Sequence, residues 1–309
     1  MLALSPQTIA RSRSHCGEFL IRLILLNRAV AGTPPEPGSE WMVADKMGAA
    51  QRRVAPKSVL ERVFALLDCF TAEETDLTLA ELASRTAIPK STVHRLTNVL
   101  VEQRLLTRTD AGFGLGIRLF ELGELVGERR DLRDAALPFL EELFELTHEI
   151  VHLGVLEGNE VLYFVKIVGY RAFPLPTRTG GRWPAHATAL GKVLMAFGTS
   201  DPLQSVLDSE LKPLTPYTII DPGRLLRELA TVRRAGIAIE SQESVLGNAC
   251  VAAPIFDSVG HPVAAVSVSG PPMRLRPVQR APVVRRIAAM ITQQIGGQPP
   301  DSWSPDGWR

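Results

Sequence analysis

The chain has 309 residues, 45% hydrophobic and 22% charged, enough apolar material for about two ordinary domains and too much for wholesale disorder. Lys plus Arg number 34 against 33 Asp plus Glu; the net charge of +1 neither suggests nor excludes a nucleic-acid partner, and only local charge can decide. The cysteines, Cys16, Cys69 and Cys250, are odd in number and far apart, which excludes a disulfide framework or a CxxC metal knuckle and fits a reducing cytoplasm.

Residues 1–56 read as a disordered tail or an over-long gene start. Their longest apolar run, Phe19 to Val30, is broken by Arg22, Asn27 and Arg28, so it is too short and too charged to span a bilayer. The arginine inside the run and the lack of a small-residue cleavage site argue against a signal peptide. Residues 31–53 have the Gly, Pro and Ala content of a linker, and Met42 and Met47 stand just upstream of the first strongly patterned segment. At the other end, residues 296–309 hold three prolines and little apolar content, and are expected to be loose.

Residues 57–118 carry three helical patterns. The first spans Val59 to Phe70, with Val59, Val63, Leu67 and Phe70 on one stripe and Leu60 and Phe64 beside it. The second, Leu79 to Thr86, opens on Thr78 and Glu81, the spacing of a capping box. Ala87-Ile88-Pro89 makes a tight break. The third helix then runs from about Lys90 to Gln103 with an apolar stripe of Val93, Leu96, Val99 and Leu100.

The opposite face of this helix is all hydrogen-bond donors: Lys90, Ser91, Thr92, His94, Arg95 and Asn98. Between residues 84 and 108, five basic side chains (Arg85, Lys90, Arg95, Arg104, Arg108) meet one acid, Glu102, for a local charge of +4. Leu105 to Thr107 and Phe113 to Leu115 read as two short strands around Thr109-Asp110-Ala111-Gly112. Three helices and a two-stranded ribbon make a winged helix-turn-helix, whose recognition helix would enter the major groove. A small helical packing module with a solvated basic face is the other reading of the same pattern.

Leu119 to Gly127 and Leu132 to Leu146 look like helical stretches joining two halves. Beyond them, Val151 to Leu156 and Val161 to Val168 flank Glu157-Gly158-Asn159-Glu160 as a hairpin. Ala187 to Phe197 and Leu225 to Ala235 read as helices, and Ile237 to Ile239, Cys250 to Phe256 and Val263 to Ser269 as strands. Pro282 to Gln294 closes the domain as an amphipathic helix, and the whole is an α+β arrangement.

Two constellations bear on chemistry. His148-Glu149-Ile150-Val151-His152 matches HExxH, but a zinc site needs both histidines on one helix face. Here the helix is expected to end near Thr147, and Val151 to Leu156 alternates as a strand would. His186, Cys250, Ser267 and Ser269 form the second. They admit a nucleophile–base pair of Cys250 and His186, a buried thiol, or a pocket for a small polar ligand. No acid or amide is obviously placed to orient His186.

Together these segments resemble the IclR (isocitrate lyase regulator) family of bacterial transcription factors, from Lys57 to about Leu275. The resemblance rests on Leu77-Thr78-Leu79-Ala80-Glu81-Leu82-Ala83 and on Ile88 to Leu96 in the first unit. In the second it rests on Val151 to Leu156, His186 to Lys192, Leu214 to Ile219, Cys250 to Pro254 and Ser267 to Pro271. It implies a winged helix-turn-helix at 57–118, a helical linker at 119–134 and a GAF-like effector-binding domain at 135–295. It also implies a cytoplasmic, non-enzymatic regulator, usually a repressor, without cofactor or metal. Such proteins form homodimers or homotetramers on palindromic double-stranded DNA operators and respond to a small organic acid.

By the same resemblance, Lys90, Ser91, Thr92, His94, Arg95 and Arg108 would meet DNA. Ala189, Leu190, Glu240, Cys250, Ser267 and Ser269 would line the effector pocket, with Glu240 at its rim or on a ligand hydroxyl. This sequence departs from the family pattern at several places. Glu240 stands for the usual Asp, Gln242 for Glu, Ala87 for Gly and His148 for Gly. The wing reads Gly112-Phe113-Gly114-Leu115-Gly116, with Phe for Tyr and Gly for a polar residue. An enzyme using His186 and Cys250 remains the alternative from another class.

Overall fold

The computed structural model describes residues 56, 58–170, 172–301 and 303, so readings that fall on residues 1–55 lie outside the described residues. Ser58 opens α1 (Val59–Leu67): its hydroxyl accepts from Glu61 N and its amide donates to the Glu61 carboxylate, both at 3.1 Å. The expected stripe of this helix needs correction. Leu66 is the fully buried residue, while Val63, Leu67 and Phe70 pack only partly, and Val59, Leu60 and Phe64 face outward. Apolar residues stand nearly all round this segment, so periodicity alone could not choose the face that meets the core.

A two-residue strand β1 (Asp76–Leu77) leads to α2 (Leu79–Thr86), capped by Thr78 and Glu81 as their spacing predicts. Ala87 turns the chain at φ 55°, a left-handed conformation that costs a non-glycine residue about 1 kcal/mol. The next helix, α3 (Lys90–Glu102), follows at once. Strands β2 (Leu106–Arg108) and β3 (Phe113–Leu115) form the wing, and β1 adds to it in the order β1-β3-β2. The expected ribbon therefore has a third strand, and β2 begins one residue later than read. Two wing glycines are demanded by close approach: a Cβ on Gly112 would lie 2.4 Å from the Leu77 carbonyl oxygen, and one on Gly116 2.0 Å from that of Arg104.

Helices α4 (Arg118–Gly123) and α5 (Gly127–Thr147) lead into the second unit. His148 ends α5 in the left-handed conformation at φ 53°, and β4 (Ile150–Glu157) starts two residues later. Strands β5 (Glu160–Ile167), β6 (Arg182–Pro184), β7 (Ala238–Ser241), β8 (Ala249–Phe256) and β9 (Pro262–Gly270) complete an antiparallel sheet in the order β6-β5-β4-β9-β8-β7. One face, with Val151, Leu153, Val251, Ala253, Val266 and Val268, packs on α5 and on the closing helix α10 (Pro277–Gln294). The other face receives α6 (Ala189–Phe197), whose side chains are buried almost throughout.

Helices α7 (Ser200–Asp208), α8 (Pro222–Ala235) and the short α9 (Pro272–Leu275) fill the remaining connections. Sequence periodicity signalled neither α7 nor β6, and α10 starts five residues before the expected Pro282, which the helix carries in its interior. Among the described residues no helix is long and apolar enough to cross a membrane.

Of the segment expected to be loose, 296–309, the described residues 296–301 and 303 are in part docked, and the remaining ones lie outside the described residues. Gln298 N donates to the Asp257 carbonyl at 2.8 Å, and Trp303 is buried, its Nε1 donating to the Gly236 carbonyl at 2.9 Å. The indole meets Phe256 edge-on at 5.5 Å and lies under the Arg285 guanidinium at 5.5 Å. One tryptophan carries enough apolar area to anchor an otherwise polar segment. Trp303→Ala should therefore destabilise the fold by about 3 kcal/mol. Urea denaturation of the variant measures this, and an unchanged midpoint would show that the indole is not docked in solution.

Candidate functional site

Two surfaces concentrate polar groups. The first is the outer face of α3. Val93, Leu96, Thr97 and Leu100 are buried beneath it, while Lys90, Ser91, His94 and Arg95 are exposed and Thr92 and Asn98 half-buried. Val99, placed on the apolar stripe by periodicity, is 49% exposed; Thr97 takes its place inside by donating to the His94 carbonyl.

The local charge is also less free than a count suggests. Arg85 forms a two-pronged pair with Glu74 at 2.7 Å, and Arg104 pairs with Glu121 at 3.3 Å. No acid among the described residues pairs with Lys90, Arg95 or Arg108. Arg108 bridges the wing to α3, donating to Asn98 Oδ1 at 2.7 Å while its guanidinium lies 5.4 Å from the centre of the Phe113 ring. What remains is a strip of uncompensated cations and hydroxyls along one helix and the adjoining strand.

The second surface is an internal cavity between the sheet and the start of α6, with about 350 Å³ of empty volume including its mouth. Sheet register builds its floor. Glu240 on β7 stands opposite Cys250 on β8, and Cys250 opposite Ser269 on β9; one step along, Ser267 stands opposite His152 on β4. Paired residues in a ladder share a face, and residues two apart on one strand share it too. All six effector-pocket residues named from the resemblance line this one cavity: Glu240, Cys250, Ser267 and Ser269 from the sheet, Ala189 and Leu190 from α6.

The amides of Ala189 and Leu190 belong to the first turn of α6, which has no intrahelical partners to offer them. Thr188 caps the helix, its hydroxyl accepting from Gly191 N at 3.0 Å. Gly191 is required there, because a Cβ would fall 2.1 Å from the Ala185 carbonyl oxygen.

Glu240 is 1% exposed, which corrects its expected place at the rim. The longer side chain folds back on its own loop: Oε1 accepts from the amides of Glu243 and, at 3.0 Å, Ser244, in a turn that Gln242 makes at φ 60°. Burial pushes its carboxyl up to about 7, with the two amides partly offsetting the shift. Among the described residues, Glu240 Oε2 and Asn248 Oδ1 are buried in the cavity without a hydrogen-bond partner, and Ser267 Oγ has only the neighbouring Cys250 thiol. Each such atom costs about 1–3 kcal/mol when nothing meets it, so their convergence is a mark of a ligand site.

Neutral side chains make up the rest. Burial holds His152 uncharged, lowering it to about 3 with a contribution from Lys166, and its Nε2 hydrogen-bonds the Thr177 hydroxyl at 2.9 Å. The Tyr163 ring meets His152 edge-on at 4.9 Å, and burial pushes its hydroxyl upward. Sequence reasoning missed His152, Tyr163, Trp183, Thr177 and Asn248 as lining residues. A polar residue inside an alternating apolar run, as His152 is in β4, is the signal that could have found one of them.

The other constellations are not assembled. His186 does not line this cavity; its Nε2 meets the Lys212 carbonyl at 3.1 Å, and burial lowers its pKa. Burial, then the nearby Glu240, pushes the Cys250 thiol up to about 12, the reverse of an activated nucleophile. In the HExxH segment, His148 caps α5 while His152 lies within β4, and Glu149 is tied to Arg274. No group of three or more metal-ligating side chains occurs among the described residues.

A winged helix-turn-helix with an uncompensated basic helix face, joined to a domain with a largely buried polar cavity, defines a ligand-responsive DNA-binding regulator. The chain belongs to the IclR family: residues 59–110 match the IclR helix-turn-helix domain, and residues 125–295 match the C-terminal domain of bacterial IclR transcriptional regulators. It is 34% identical over 213 residues to the HTH-type transcriptional regulator XynR of Escherichia coli K12, covering 68% of this chain and 84% of that one. It is 31% identical over 267 residues to the E. coli K12 transcriptional repressor AllR, covering 84% and 95%. Among solved structures, an IclR homologue from Microbacterium hydrocarbonoxydans in complex with 4-hydroxybenzoate superposes with a TM-score of 0.72 at 32% identity, covering 77% of this chain and 99% of that one. The protein is thus a metabolite-responsive, DNA-binding transcriptional regulator.

If Arg95 meets a guanine edge, Arg95→Ala should cost about 1–3 kcal/mol and relax specificity at one base. If Lys90 meets only phosphate, Lys90→Ala should weaken all sequences alike and reduce the salt slope by about one. Binding titrations at several salt concentrations separate the two, and unchanged affinity in both variants would remove this face from the interface.

Proposed function

We propose that the protein is a cytoplasmic, non-enzymatic repressor of a catabolic or metabolic operon, released from its operator when a small organic acid fills the cavity on the sheet. Lys90, Ser91, Thr92, His94, Arg95 and Arg108 supply the DNA contacts. Phosphate contacts from the lysine and hydroxyls fix register, and Arg95 is the side chain with the reach and fork to read a base edge. The observation that carries the effector half is the set of buried polar atoms without partners.

In this reading the acid's carboxylate lies at the start of α6, where the Ala189 and Leu190 amides and the Ser267 and Ser269 hydroxyls can donate to it. Its other end lies near Glu240 and Asn248, which favours an acid carrying a hydroxyl. No cofactor or metal takes part. The relative crystallised with 4-hydroxybenzoate supports a ligand of this chemical class.

Assembly follows from exposed apolar surface. Val59, Leu60 and Phe64 on α1, and Phe120, Leu122 and Leu125 on and after α4, are large and exposed. Apolar patches of this kind are covered in the working protein, and a second copy would cover them while presenting two α3 helices to a palindromic operator. Homodimers or homotetramers on such an operator are the arrangement proposed.

Sequencing the genomic fragments that the purified protein retains gives the operator, and release by a panel of small acids gives the effector. The releasing acid should shift operator affinity by a coupling of about 1–3 kcal/mol. Ser267→Ala with Ser269→Ala should abolish that shift while leaving ligand-free DNA binding within a few-fold. A normal response from the double variant would contradict the pocket assignment, and turnover of an acid that is lost in Cys250→Ser would favour an enzyme.

A further inference from the structure

The charge inventory of the cavity has a consequence for what can enter it. Among the described residues lining it, Glu240 is the one acid, and no lysine or arginine is present. The nearest buried cation is Lys192 of α6. Its Nζ donates to Glu243 Oε1 at 2.5 Å and lies 3.6 Å from Glu228 Oε1 of α8, so two carboxylates already neutralise it. Lys166 of β5 stands opposite His152 in the ladder and so shares the cavity face, but its ammonium is held by the overlying segment, donating to the carbonyls of Leu175 and Thr177 at 3.0 and 2.6 Å.

An anion entering this space would therefore face the Glu240 carboxylate with no lysine or arginine among the described lining residues to balance the pair, Lys166 being held on two carbonyls. Two carboxylates sharing one buried site cannot both stay ionised. The geometry offers a resolution: Oε1 is held by two backbone amides, while Oε2 is buried and bare. A proton on Oε2 would turn the repelling atom into a donor.

On the reading that this cavity holds the effector, we propose that it admits an organic anion only together with a proton, which leaves solvent and resides on Glu240 Oε2, donating to an oxygen of the ligand. The effector class is then a small monocarboxylic acid, bound as an anion by the α6 amides and serines and completed by a protonated Glu240.

Of the other titratable groups around Glu240, Glu243 and Lys166 can compete for that proton near neutral pH, and the rest cannot. In the loop after β7, Glu243 is bound to Lys192, yet burial still raises its carboxyl, so Glu243→Gln has to be measured beside Glu240→Gln. From β8, the Cys250 thiol is held protonated, and from β5 so is Tyr163. From β4, His152 is held neutral. Burial already brings the Glu240 carboxyl up to about 7, so a bound anion need shift it only upward from there. The sign follows. Below that value the proton is already present and affinity is flat. Above it, each bound anion takes up a proton, and affinity falls close to tenfold per pH unit. Lys166, lowered by burial to about 8, titrates in the same window and has to be separated from Glu240 by mutation.

The test is calorimetry of the full chain with benzoate, 4-hydroxybenzoate, lactate and gluconate, in buffers of different ionisation heat between about pH 6 and pH 8.5. The acid that binds should take up close to one proton per site at the upper end. Glu240→Gln should bind it with no uptake and a flat pH profile, and Glu240→Asp, which keeps the carboxyl, should retain the linkage. Binding by the parent protein without uptake would overturn the inference while leaving the cavity reading intact. So would an uptake that persists in Glu240→Gln, which would assign the proton to Lys166 or Glu243. Failure of every acid to bind at about 1 mM would reject the cavity reading, and this inference with it.

Discussion

The antiparallel pairing of β4, β9 and β8 is the constraint on which the rest of the second domain depends. It sets Ser269 beside Cys250 and Ser267 beside His152, while Val266 and Val268 turn to the opposite face. Because side chains alternate with a period of two, a slip of one residue would exchange the two sets. The serines and the thiol would then enter the apolar layer against α5 and α10, and the valines would floor the cavity. The many buried aliphatics on the helix-covered face make such a slip costly, so the hydrophobic core also fixes the polar site.

That arrangement leaves polar atoms in a buried place without partners, which a fold tolerates only when it gains elsewhere. The sheet supplies the gain through its other face, and the loops tie the cavity from the side. Thr215 and Thr218 donate to the carbonyls of Gln242 and Glu243, Lys192 holds the Glu243 carboxylate, and the Glu243 amide in turn orients Glu240. The loop that holds the Glu240 carboxylate is thus anchored to α6, the same helix whose first residues, Ala189 and Leu190, line the cavity. A ligand bridging those two elements would act on a connection already made by hydrogen bonds and one ion pair. In the DNA-binding unit the same economy appears: Arg85 and Arg104 are spent on Glu74 and Glu121, leaving Lys90, Arg95 and Arg108 for other partners.

Local chemistry was readable from the sequence wherever a few adjacent residues settle the outcome. The Thr78–Glu81 cap, the turn at Ala87, the donor face of α3 and the hairpin at Glu157–Glu160 are of that kind. The family resemblance added the six cavity residues, and the structure brings them together. What could not be read depends on partners distant in sequence. β1 is two residues long and exists because β3 pairs with it; the buried face of α1 is chosen by the core and not by its own pattern; Trp303 docks against Gly236 and Phe256 from the far end of the chain. Burial of Glu240 belongs here too. One extra methylene lets the carboxylate fold onto amides three and four residues later, a choice made by loop geometry and invisible in composition.

Ser267 Oγ, with only the Cys250 thiol beside it, is held for a ligand and adds little to the unliganded fold. Chemical denaturation of ligand-free Ser267→Ala tests it directly. The variant's unfolding free energy should equal the parent's, or exceed it by up to about 1 kcal/mol, since the substitution removes a buried polar atom whose neighbour is only a weakly hydrogen-bonding thiol. A loss of more than about 1 kcal/mol would contradict it, because the hydroxyl would then be a structural member of the sheet.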